Sequence, residues 1–358
     1  MTVRQPRIGY VPYSTSLDRP GDRRRFVAYA RARNLKFEIA RPDECYDLVV
    51  LSEVSDISVW CDYPHGKLVF DFIDSYLEIP RTNLKQWLRG VVFFMVGRHG
   101  RLRLDYWSVL RDMCCRADAV VCTTEEQRIN IQPYCNNTHI VHDVHSSVVR
   151  KIKEDYQCGE PFNLVWEGLP SNLAQLKQLK NVLQYVDKKR SIVLNIVTDR
   201  EYARILGRFW KIKSYNFVKK IFSKVKFHDW DESTCANIIK GCDLAVIPID
   251  LEDQFVTGKP ENKLLLLWRM GMPVVTSATP AYLRAMEEVG CTSLACRNED
   301  EWLVAIRKMM DNAAMRQDAG EKGKMHAEKK FGEKALLERW DRVFSSIGFS
   351  FNNGKLQK

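Results

Sequence analysis

One pattern repeats through most of the chain: a short run of β-branched and aromatic residues followed by a polar or amphipathic stretch. In the first half, such runs occupy residues 7–13, 35–40, 47–52, 67–73, 119–123 and 139–144. In the second half, they occupy residues 162–166, 191–197, 225–228, 244–249 and 273–277. Strands that alternate with helices predict parallel sheets covered on both faces. We therefore predict an α/β protein with two Rossmann-like domains.

The domain boundary is predicted in a polar stretch near residue 155, because 358 residues exceed the usual size of a single core. We expect an N-terminal domain at 1–155 and a C-terminal domain at 156–330. A helical pattern at 331–347 carries apolar residues on one face and is expected to return toward the first domain. Residues 348–358 are expected to form a flexible tail.

Composition narrows the class of protein. No apolar run has the length of a signal peptide or a membrane span, so we expect a cytoplasmic protein. The eleven scattered cysteines lack the CxxC spacing of zinc sites, and no metal site is predicted. The net charge of +10 indicates an anionic partner. It is spread over both halves without a nucleic-acid-binding motif, so we predict no nucleic-acid partner.

The segment at 257–271, TGKPENKLLLLWRMG, is the first candidate for ligand binding. It predicts a loop, a polar helix start and an apolar helix that ends at a glycine. The start of such a helix presents backbone amides and a positive dipole end to an anion, and Lys259 and Lys263 add charge. An ordinary amphipathic helix would show the same pattern.

Three other loops follow predicted strands of the second half, where ligands bind in open parallel sheets. Each carries polar, glycine or aromatic residues; together these are Gly168, Ser171, Asn172, Thr198, Asp199, Arg200, His228 and Trp230. Arg200 would suit a phosphate and Trp230 a nucleotide base. Helix capping by Asp199 and a core position for Trp230 are the alternatives.

The first half offers acidic, basic and imidazole groups at corresponding places. These groups are Asp22, Arg23, Asp71, Asp74, His142 and His145. A carboxylate there would bind an acceptor hydroxyl or act as a base, and a histidine would stabilise charge at the leaving group. Helix capping and satisfied polar packing are the alternatives.

Residues 81–116 form a basic segment, with eight Lys or Arg against two acidic residues. Within it lies the apolar run VVFFMV at 91–96. Apolar residues beside cations are typical of an element that lies on a membrane surface. The segment therefore suggests a peripheral contact with the inner face of a membrane, or else a core helix with a basic exterior.

The sequence KPENKLLLLWRMGMPVV at 259–275 resembles the donor-site segment of family 4 glycosyltransferases of the GT-B fold. The resemblance extends to CDLAVIPID at 242–250 and to ADAVVCTTEEQ at 117–127. It implies two Rossmann-like domains that face each other across a cleft. It also implies sugar transfer from a nucleotide-sugar to a glycan or lipid-linked acceptor, as in bacterial-type surface polysaccharide synthesis.

Site roles follow from this resemblance. The backbone at Glu261, Asn262, Lys263 and Leu264 would hold the diphosphate, and the loops at 168–172, 198–200 and 228–230 would complete donor binding. Asp22, Arg23, Asp71, Asp74 and His145 would bind the acceptor. Asp74, His142 and Glu261 are the catalytic candidates. Transfer would retain the anomeric configuration, and neither a cofactor nor a metal would be needed.

The sequence departs from the family at its characteristic pair of glutamates. Gly258 stands at the position of the first and Leu266 at that of the second, and Glu261 is the nearest replacement for the first. Two other functions therefore stay open. One is a nucleotide-sugar 2-epimerase, which cleaves the same bond without an acceptor. The other is a non-catalytic binding protein derived from a transferase.

Overall fold

The chain folds into two compact units, each built around its own sheet. The computed structural model describes residues 5–79, 88–145, 147–203, 211–352 and 355–356. The first unit lies within Met1–Val144, Gly258–Pro260 and Glu333–Lys358, and the second within His145–Thr257 and Glu261–Gly332.

The sheet of the first unit has six parallel strands. They are β1 (Ile8–Val11), β2 (Glu38–Ile39), β3 (Leu48–Ser52), β4 (Lys67–Asp71), β5 (Ala119–Cys122) and β6 (Thr138–Ile140). Their order across the sheet is β2-β1-β3-β4-β5-β6. Every residue of β3 and β5 is buried, as expected for central strands that helices cover on both faces.

Seven described helices belong to the first unit. They are α1 (Pro20–Arg23), α2 (Phe26–Ala32), α3 (Ile57–Trp60), α4 (Arg89–Met95), α5 (Tyr106–Arg116), α6 (Glu125–Ile131) and α15 (Glu333–Ser346), and a 3-10 helix spans Tyr76–Glu78. A capping box of Thr124 and Gln127 starts α6.

The last helix, α15, completes the core of the first unit. Trp340 and Phe344 pack against Phe26 and Tyr29 of α2, and the ring centroids of Tyr29 and Phe344 are 5.1 Å apart. The hydroxyl of Tyr29 also donates to Oδ1 of Asp341 (2.8 Å). The helix thereby covers apolar surface that residues of the N-terminal half leave open.

The stretch after α15, expected to be a flexible tail, is part of this core at Phe351. Its side chain is 5% exposed, and its ring lies 5.4 Å from that of Phe344. Strands β15 (Phe351–Asn352) and β16 (Lys355–Leu356) pair antiparallel. The tail prediction is therefore wrong at Phe351, because an aromatic ring so close to an apolar helix is stabilised by burial.

The sheet of the second unit also has six parallel strands. They are β7 (Phe162–Glu167), β8 (Ile192–Val197), β11 (Val225–His228), β12 (Leu244–Ile247), β13 (Val274–Ser277) and β14 (Ala295–Cys296). Their order is β11-β8-β7-β12-β13-β14, and β9 (Glu201–Ala203) and β10 (Lys211–Lys213) form a separate antiparallel pair.

Eight described helices belong to the second unit. They are α7 (Lys180–Lys189), α8 (Ser214–Lys219), α9 (Cys235–Lys240), α10 (Gln254–Thr257), α11 (Asn262–Arg269), α12 (Pro280–Glu288), α13 (Glu299–Asp311) and α14 (Ala313–Phe331). Shorter 3-10 helices span Pro170–Leu179 and Thr292–Leu294.

The predicted fold class is confirmed, since both halves form parallel sheets with flanking helices. Strand β14 and the β9–β10 pair were not predicted; β14 has two residues, too few for a periodic pattern to be visible. None of the described helices is long and apolar enough to cross a membrane.

Candidate functional site

Three of the predicted donor loops lie side by side at one edge of the second sheet. They follow β7, β8 and β11, which are neighbours and run parallel, so their carboxyl ends meet. Backbone bonds continue past the strand ends: the amide of Gly168 donates to the carbonyl of Val197 (3.2 Å), and that of Thr198 to the carbonyl of His228 (3.1 Å). The amide of Trp230 donates in turn to the carbonyl of Thr198 (3.3 Å). The structure therefore brings Gly168, Thr198 and Trp230 together.

The ammonium group of Lys263 lies against the first of these loops. Its Nζ is 4.8 Å from the ring centroid of Trp166, and a Cβ built on Gly168 would collide with it. Lys263 stands in the first turn of α11, where backbone amides form the positive end of the helix dipole. A cation from α11 thus reaches the carboxyl edge of the sheet.

Helix α11 is held rigidly in the core of the second unit. All five residues at 264–268 are buried, and a Cβ built on Gly323 of α14 would collide with the ring of Trp268. A helix that is apolar all round is a buried one, which explains the LLLLW sequence. The structure therefore differs from an ordinary amphipathic helix, and the first turn of α11 has a fixed position.

The side chains at the ends of β8 and β11 are partly or wholly buried. Thr198 is fully buried, and its Oγ1 has no hydrogen-bond partner within the described residues. Nε2 of His228 lies 3.0 Å from Oδ1 of Asn195. Burial, followed by the charge of Lys226, lowers the pKa of His228, so this imidazole is neutral at pH 7.

Trp230 is placed by a hydrogen bond at the same edge. Its indole Nε1 donates to Oε1 of Glu167 (3.1 Å), a carboxylate at the end of β7 that the sequence reasoning did not select. The ring is half-buried and packs against the core of the second unit. Trp230 is thus a core residue with one edge at the loops, and its contact with a base stays a prediction.

The other predicted donor residues lie farther out. Arg200 is exposed at 73% of its side chain and pairs with Asp229, with Nε 2.7 Å from Oδ1. Asp199 is exposed, and its backbone carbonyl accepts from the hydroxyl of Ser214 (2.8 Å). Ser171 is also exposed, and Asn172 is half-buried in the 3-10 helix after β7. Their donor contacts stay predictions.

Glu261, a catalytic candidate, is the residue that precedes α11 and is only 7% exposed. Burial, followed by the charge of Glu261, raises the pKa of Tyr282, and Glu261 also acts on His326. The carboxylate therefore belongs to a buried group of side chains within the second unit. A direct catalytic contact would require it to leave this environment.

In the first unit, Asp71 is the partner of a buried arginine. Nε and Nη2 of Arg25 donate to its two carboxylate oxygens (2.7 and 2.5 Å). Nη1 donates to the carbonyl of Val141 (2.9 Å) and to Oδ1 of Asp143 (3.2 Å). Arg25 is fully buried, so Asp71 must stay charged to compensate it. Both carboxylate oxygens are thus occupied by polar packing within the first unit, and the acceptor contact of Asp71 stays a prediction.

Asp22 is likewise structural. It is fully buried and accepts from the hydroxyl of Tyr10 (2.8 Å) and from the amides of Tyr13 (2.8 Å) and Ser14 (3.1 Å). These bonds fix the loop after β1, so the carboxylate has no free face for an acceptor. Arg23, its neighbour, is half-buried, and its acceptor contact stays a prediction.

The two histidines are buried rather than presented at a surface. His142 is buried, and its Nδ1 lies 3.2 Å from Nη1 of Arg339 on α15. His145 belongs to the second unit, is also buried, and accepts backbone bonds from Val148 and Val149 through its carbonyl. Their predicted contacts with substrate stay predictions.

Asp74 forms a carboxyl pair that the sequence did not reveal. Oε2 of Glu53 accepts from the amides of Ile73 (3.1 Å) and Asp74 (2.8 Å). Burial, followed by the charge of Asp74, raises the pKa of Glu53 well above its ordinary value. A hydrogen bond between the side chains of Glu53 and Asp74 contributes to the same shift in the pKa of Glu53. The sequence feature that could have identified Glu53 is its position directly after the buried strand β3.

The two family glutamate positions are closely packed in this structure. Leu266 is 3% exposed and lies in the core of the second unit. A Cβ built on Gly258 would collide with Oε2 of Glu78. Burial, followed by the charge of Glu126, raises the pKa of Glu78 to about 7. At both positions where the sequence lacks the family glutamate, neighbouring side chains therefore fill the space.

Comparison with known proteins gives no relative by sequence: no model of a known protein family and no curated protein matches the chain. Solved structures do match. Sucrose-phosphate synthase from Thermosynechococcus elongatus superposes with a TM-score of 0.57 and 13% identity, over 84% of this chain and 74% of that one. TarM superposes with a TM-score of 0.57 and 10% identity, over 83% and 54%.

A variant of S. aureus TarM in complex with Fondaparinux, alpha-GlcNAc-glycerol and UDP also matches, with a TM-score of 0.54 and 10% identity over 83% of this chain. The chain spans 54% and 55% of the two TarM chains. The fold is that of GT-B glycosyltransferases. At this identity, the likeness concerns the fold, and activity has to be argued from the residues.

Proposed function

We propose that this chain is a glycosyltransferase of the hexosyltransferase type. It moves a sugar from a nucleotide-sugar to a glycan or lipid-linked acceptor. The observation that carries the proposal is the position of the Lys263 ammonium beside Gly168, at the carboxyl edge of the second sheet. The diphosphate of a nucleotide-sugar is an anion, and a lysine at a helix N-terminus is suited to it.

The chemistry of the donor edge supports this substrate class. Lys263 contributes a point charge, the first turn of α11 its dipole, and Thr198 a buried hydroxyl whose Oγ1 would otherwise keep no partner within the described residues. His228, being neutral, adds no competing charge, and the Trp230 ring offers an apolar surface to a base. One edge thus has groups for phosphate and base.

We propose that the first unit binds the acceptor through Asp74 and its partner Glu53. The Asp74 carboxyl group would accept a hydrogen bond from an acceptor hydroxyl, and Glu53, whose Oε2 accepts from the amides of Ile73 and Asp74, would hold this turn in place. Among the predicted acceptor residues, Asp74 is half-buried, whereas Asp22 and Asp71 are buried and fully engaged.

Transfer breaks the bond between the anomeric carbon and the diphosphate oxygen, and forms a bond from that carbon to the acceptor oxygen. The proton of the acceptor hydroxyl passes to the departing diphosphate oxygen. We propose that the new bond forms on the face that the diphosphate leaves, which retains the configuration. Cationic and dipolar groups would neutralise the leaving diphosphate, so a metal is not required. A lipid-linked acceptor would place the reaction at the inner face of a membrane.

The experiment that tests the donor site is titration calorimetry with UDP, GDP, ADP and CMP. We expect the wild-type protein to bind at least one of them. Lys263→Met should weaken that binding about tenfold or more, because a charge-assisted contact is lost, and Lys263→Arg should weaken it less. Lys188→Met, at an exposed lysine of α7, serves as the matched control. Absence of binding to all four nucleotides would overturn the proposal.

Turnover is tested separately with nucleotide-sugars, with and without candidate acceptors, in the presence of EDTA. NMR of fresh product gives the anomeric configuration, and inversion would contradict a retaining mechanism. A change of sugar without any acceptor would instead identify an epimerase.

A second candidate function is a nucleotide-sugar-binding protein without catalysis. The buried Leu266 at the family position of a glutamate favours it. Nucleotide binding that depends on Lys263, combined with no turnover for any sugar and acceptor tried, would support this candidate.

A further inference from the structure

The first unit has a concentrated group of exposed apolar side chains. Of the sixteen large exposed apolar side chains among the described residues, seven fall within residues 88–104. We name them the apolar patch: Leu88, Val92, Phe94, Met95, Val96, Leu102 and Leu104. Met95 is the most exposed, at 78%. The other nine are spread over both units, as is usual for soluble surfaces.

Helix α4 supplies the centre of the patch and has apolar residues on both of its faces. The inner face packs: a Cβ on Gly90 would collide with the carbonyl of Arg103, and the Phe93 ring lies 5.6 Å from that of Tyr106. Leu88, Val92, Met95 and Val96 follow the spacing of one helical stripe and are exposed. A core helix with a basic exterior is therefore wrong for this part of the basic segment; residues 81–87 of that segment lie outside the described residues.

Contacts with the first unit hold the patch in place. The guanidinium of Arg89 lies 4.2 Å from the ring centroid of Tyr76 and donates to its hydroxyl (2.7 Å). After the helix, the amide of Gly100 donates to Oδ2 of Asp56 (2.6 Å), and that of Arg101 to Oγ of Ser58 (3.2 Å). The apolar side chains are thus exposed on an anchored element.

Positive charge surrounds the patch. Residues 88–104 contain four arginines and no acidic residue. Arg89 is turned inward, whereas Arg98 is exposed at the end of α4. Arg101 and Arg103 share Asp62, so one carboxylate faces two guanidinium groups. The rim of the patch therefore keeps an excess of positive charge.

We propose that the apolar patch docks on an anionic lipid surface. Its aliphatic and phenyl side chains have no hydrogen-bonding atoms, which suits the acyl boundary of a bilayer. The long side chains of the arginines can reach lipid phosphate groups, whose positions in the membrane plane are not fixed. Helix α4 would lie in the plane of the interface with Val92, Met95 and Val96 inserted, and Arg98 and Arg101 would reach the headgroups. This inference does not depend on the proposed sugar transfer.

The test is flotation of the full chain with two kinds of vesicle: phosphatidylcholine alone, and phosphatidylcholine mixed with phosphatidylglycerol. We expect the protein to float with the mixed vesicles and much less with the neutral ones. Met95→Asp should lower the bound fraction about tenfold or more, because a charge replaces an inserting side chain. Ile129→Asp, at an exposed residue of α6, is the matched control and should float like the wild type.

Arg101→Gln tests the contribution of charge to membrane binding. It should weaken binding to the mixed vesicles alone, and that binding should depend less on salt concentration. Circular dichroism and thermal unfolding establish that each variant is folded. Failure of the wild type to float with either vesicle would overturn the proposal, as would equal flotation of Met95→Asp. A lipid-free dimer that Met95→Asp dissociates would also overturn it and identify the patch as an interface between copies.

Discussion

Gly168 and Lys263 are complementary in shape: the space that a Cβ would take at the glycine is where the lysine ammonium lies. The Trp166 ring beneath the ammonium completes this packing. The relationship links the loop after β7 to the first turn of α11, although the two are far apart in sequence. Since both loop and helix start are proposed to meet the diphosphate, the pair can be tested directly.

Gly168→Ala is expected to weaken nucleotide binding about tenfold and to lower the free energy of unfolding by about 1 to 3 kcal/mol, because its φ of +159° is one that residues with a Cβ rarely adopt. The added methyl group also displaces the end of the Lys263 side chain, so it moves the cation. Titration calorimetry and urea unfolding measure the two quantities. Gly241→Ala is the control, because a Cβ there would make only ordinary contacts. Unchanged affinity in Gly168→Ala would show that the ammonium position does not matter.

Arg25→Met is expected to destabilise the protein by about 3 to 5 kcal/mol, because it leaves Asp71 as a buried charge without its cation. Arg200→Met, which removes the exposed pair with Asp229, should leave stability almost unchanged, because solvent screens that pair. Denaturant unfolding compares the two. A similar loss of unfolding free energy in both variants would mean that burial does not govern the strength of these ion pairs.

Glu78 is expected to make stability depend on pH. Burial raises its folded pKa to about 7, above the ordinary value of 4.5. The folded state therefore prefers the protonated form. Stability from this group is greatest below pH 4.5 and falls as the pH rises toward 7. Glu78→Gln should remove this loss, which we put at about 1 to 2 kcal/mol after allowing for partial solvent access.

Unfolding free energies at pH 5 and pH 8 measure this difference for wild type and Glu78→Gln. In Glu126→Gln, the fall in stability should begin and end at lower pH than in the wild type, since the charge of Glu126 contributes to the raised pKa of Glu78. A pH dependence that persists unchanged in Glu78→Gln would assign it to another group.

Leu266→Glu is expected to destabilise the protein by about 3 kcal/mol or more, because it buries an unpaired carboxyl in the core of the second unit. It should not raise activity or nucleotide affinity. Leu266→Met, which keeps an apolar side chain of similar volume, should cost less than about 1.5 kcal/mol. Increased turnover in a stably folded Leu266→Glu would show that the position still faces the ligand.

The sheets were predictable from sequence because a buried parallel strand requires a local run of β-branched residues, which is visible without any partner. Every predicted run in both halves overlaps a strand of the structure. The loops after β7, β8 and β11 were also predictable as neighbours of a ligand site, since carboxyl ends of parallel strands share an edge.

Side-chain partners were less predictable, because they depend on residues far away in the chain. Nothing local distinguishes Asp71, which compensates the buried Arg25, from Asp74, which hydrogen-bonds Glu53. His142 follows a strand as a catalytic residue would, yet α15 covers it from the other end of the chain. Polar residues at strand ends therefore indicate where to look, and packing decides which of them meet a ligand.

The position of α15 has a consequence for how the protein is made. The first unit needs Trp340 and Phe344 to cover Phe26 and Tyr29, yet these residues leave the ribosome after the whole second unit. The aromatic surface of the N-terminal unit therefore stays uncovered while the second unit is synthesised and folds. Ribosome-bound chains stalled before residue 333 should expose that surface to chaperones, and release of the last helix should end the exposure.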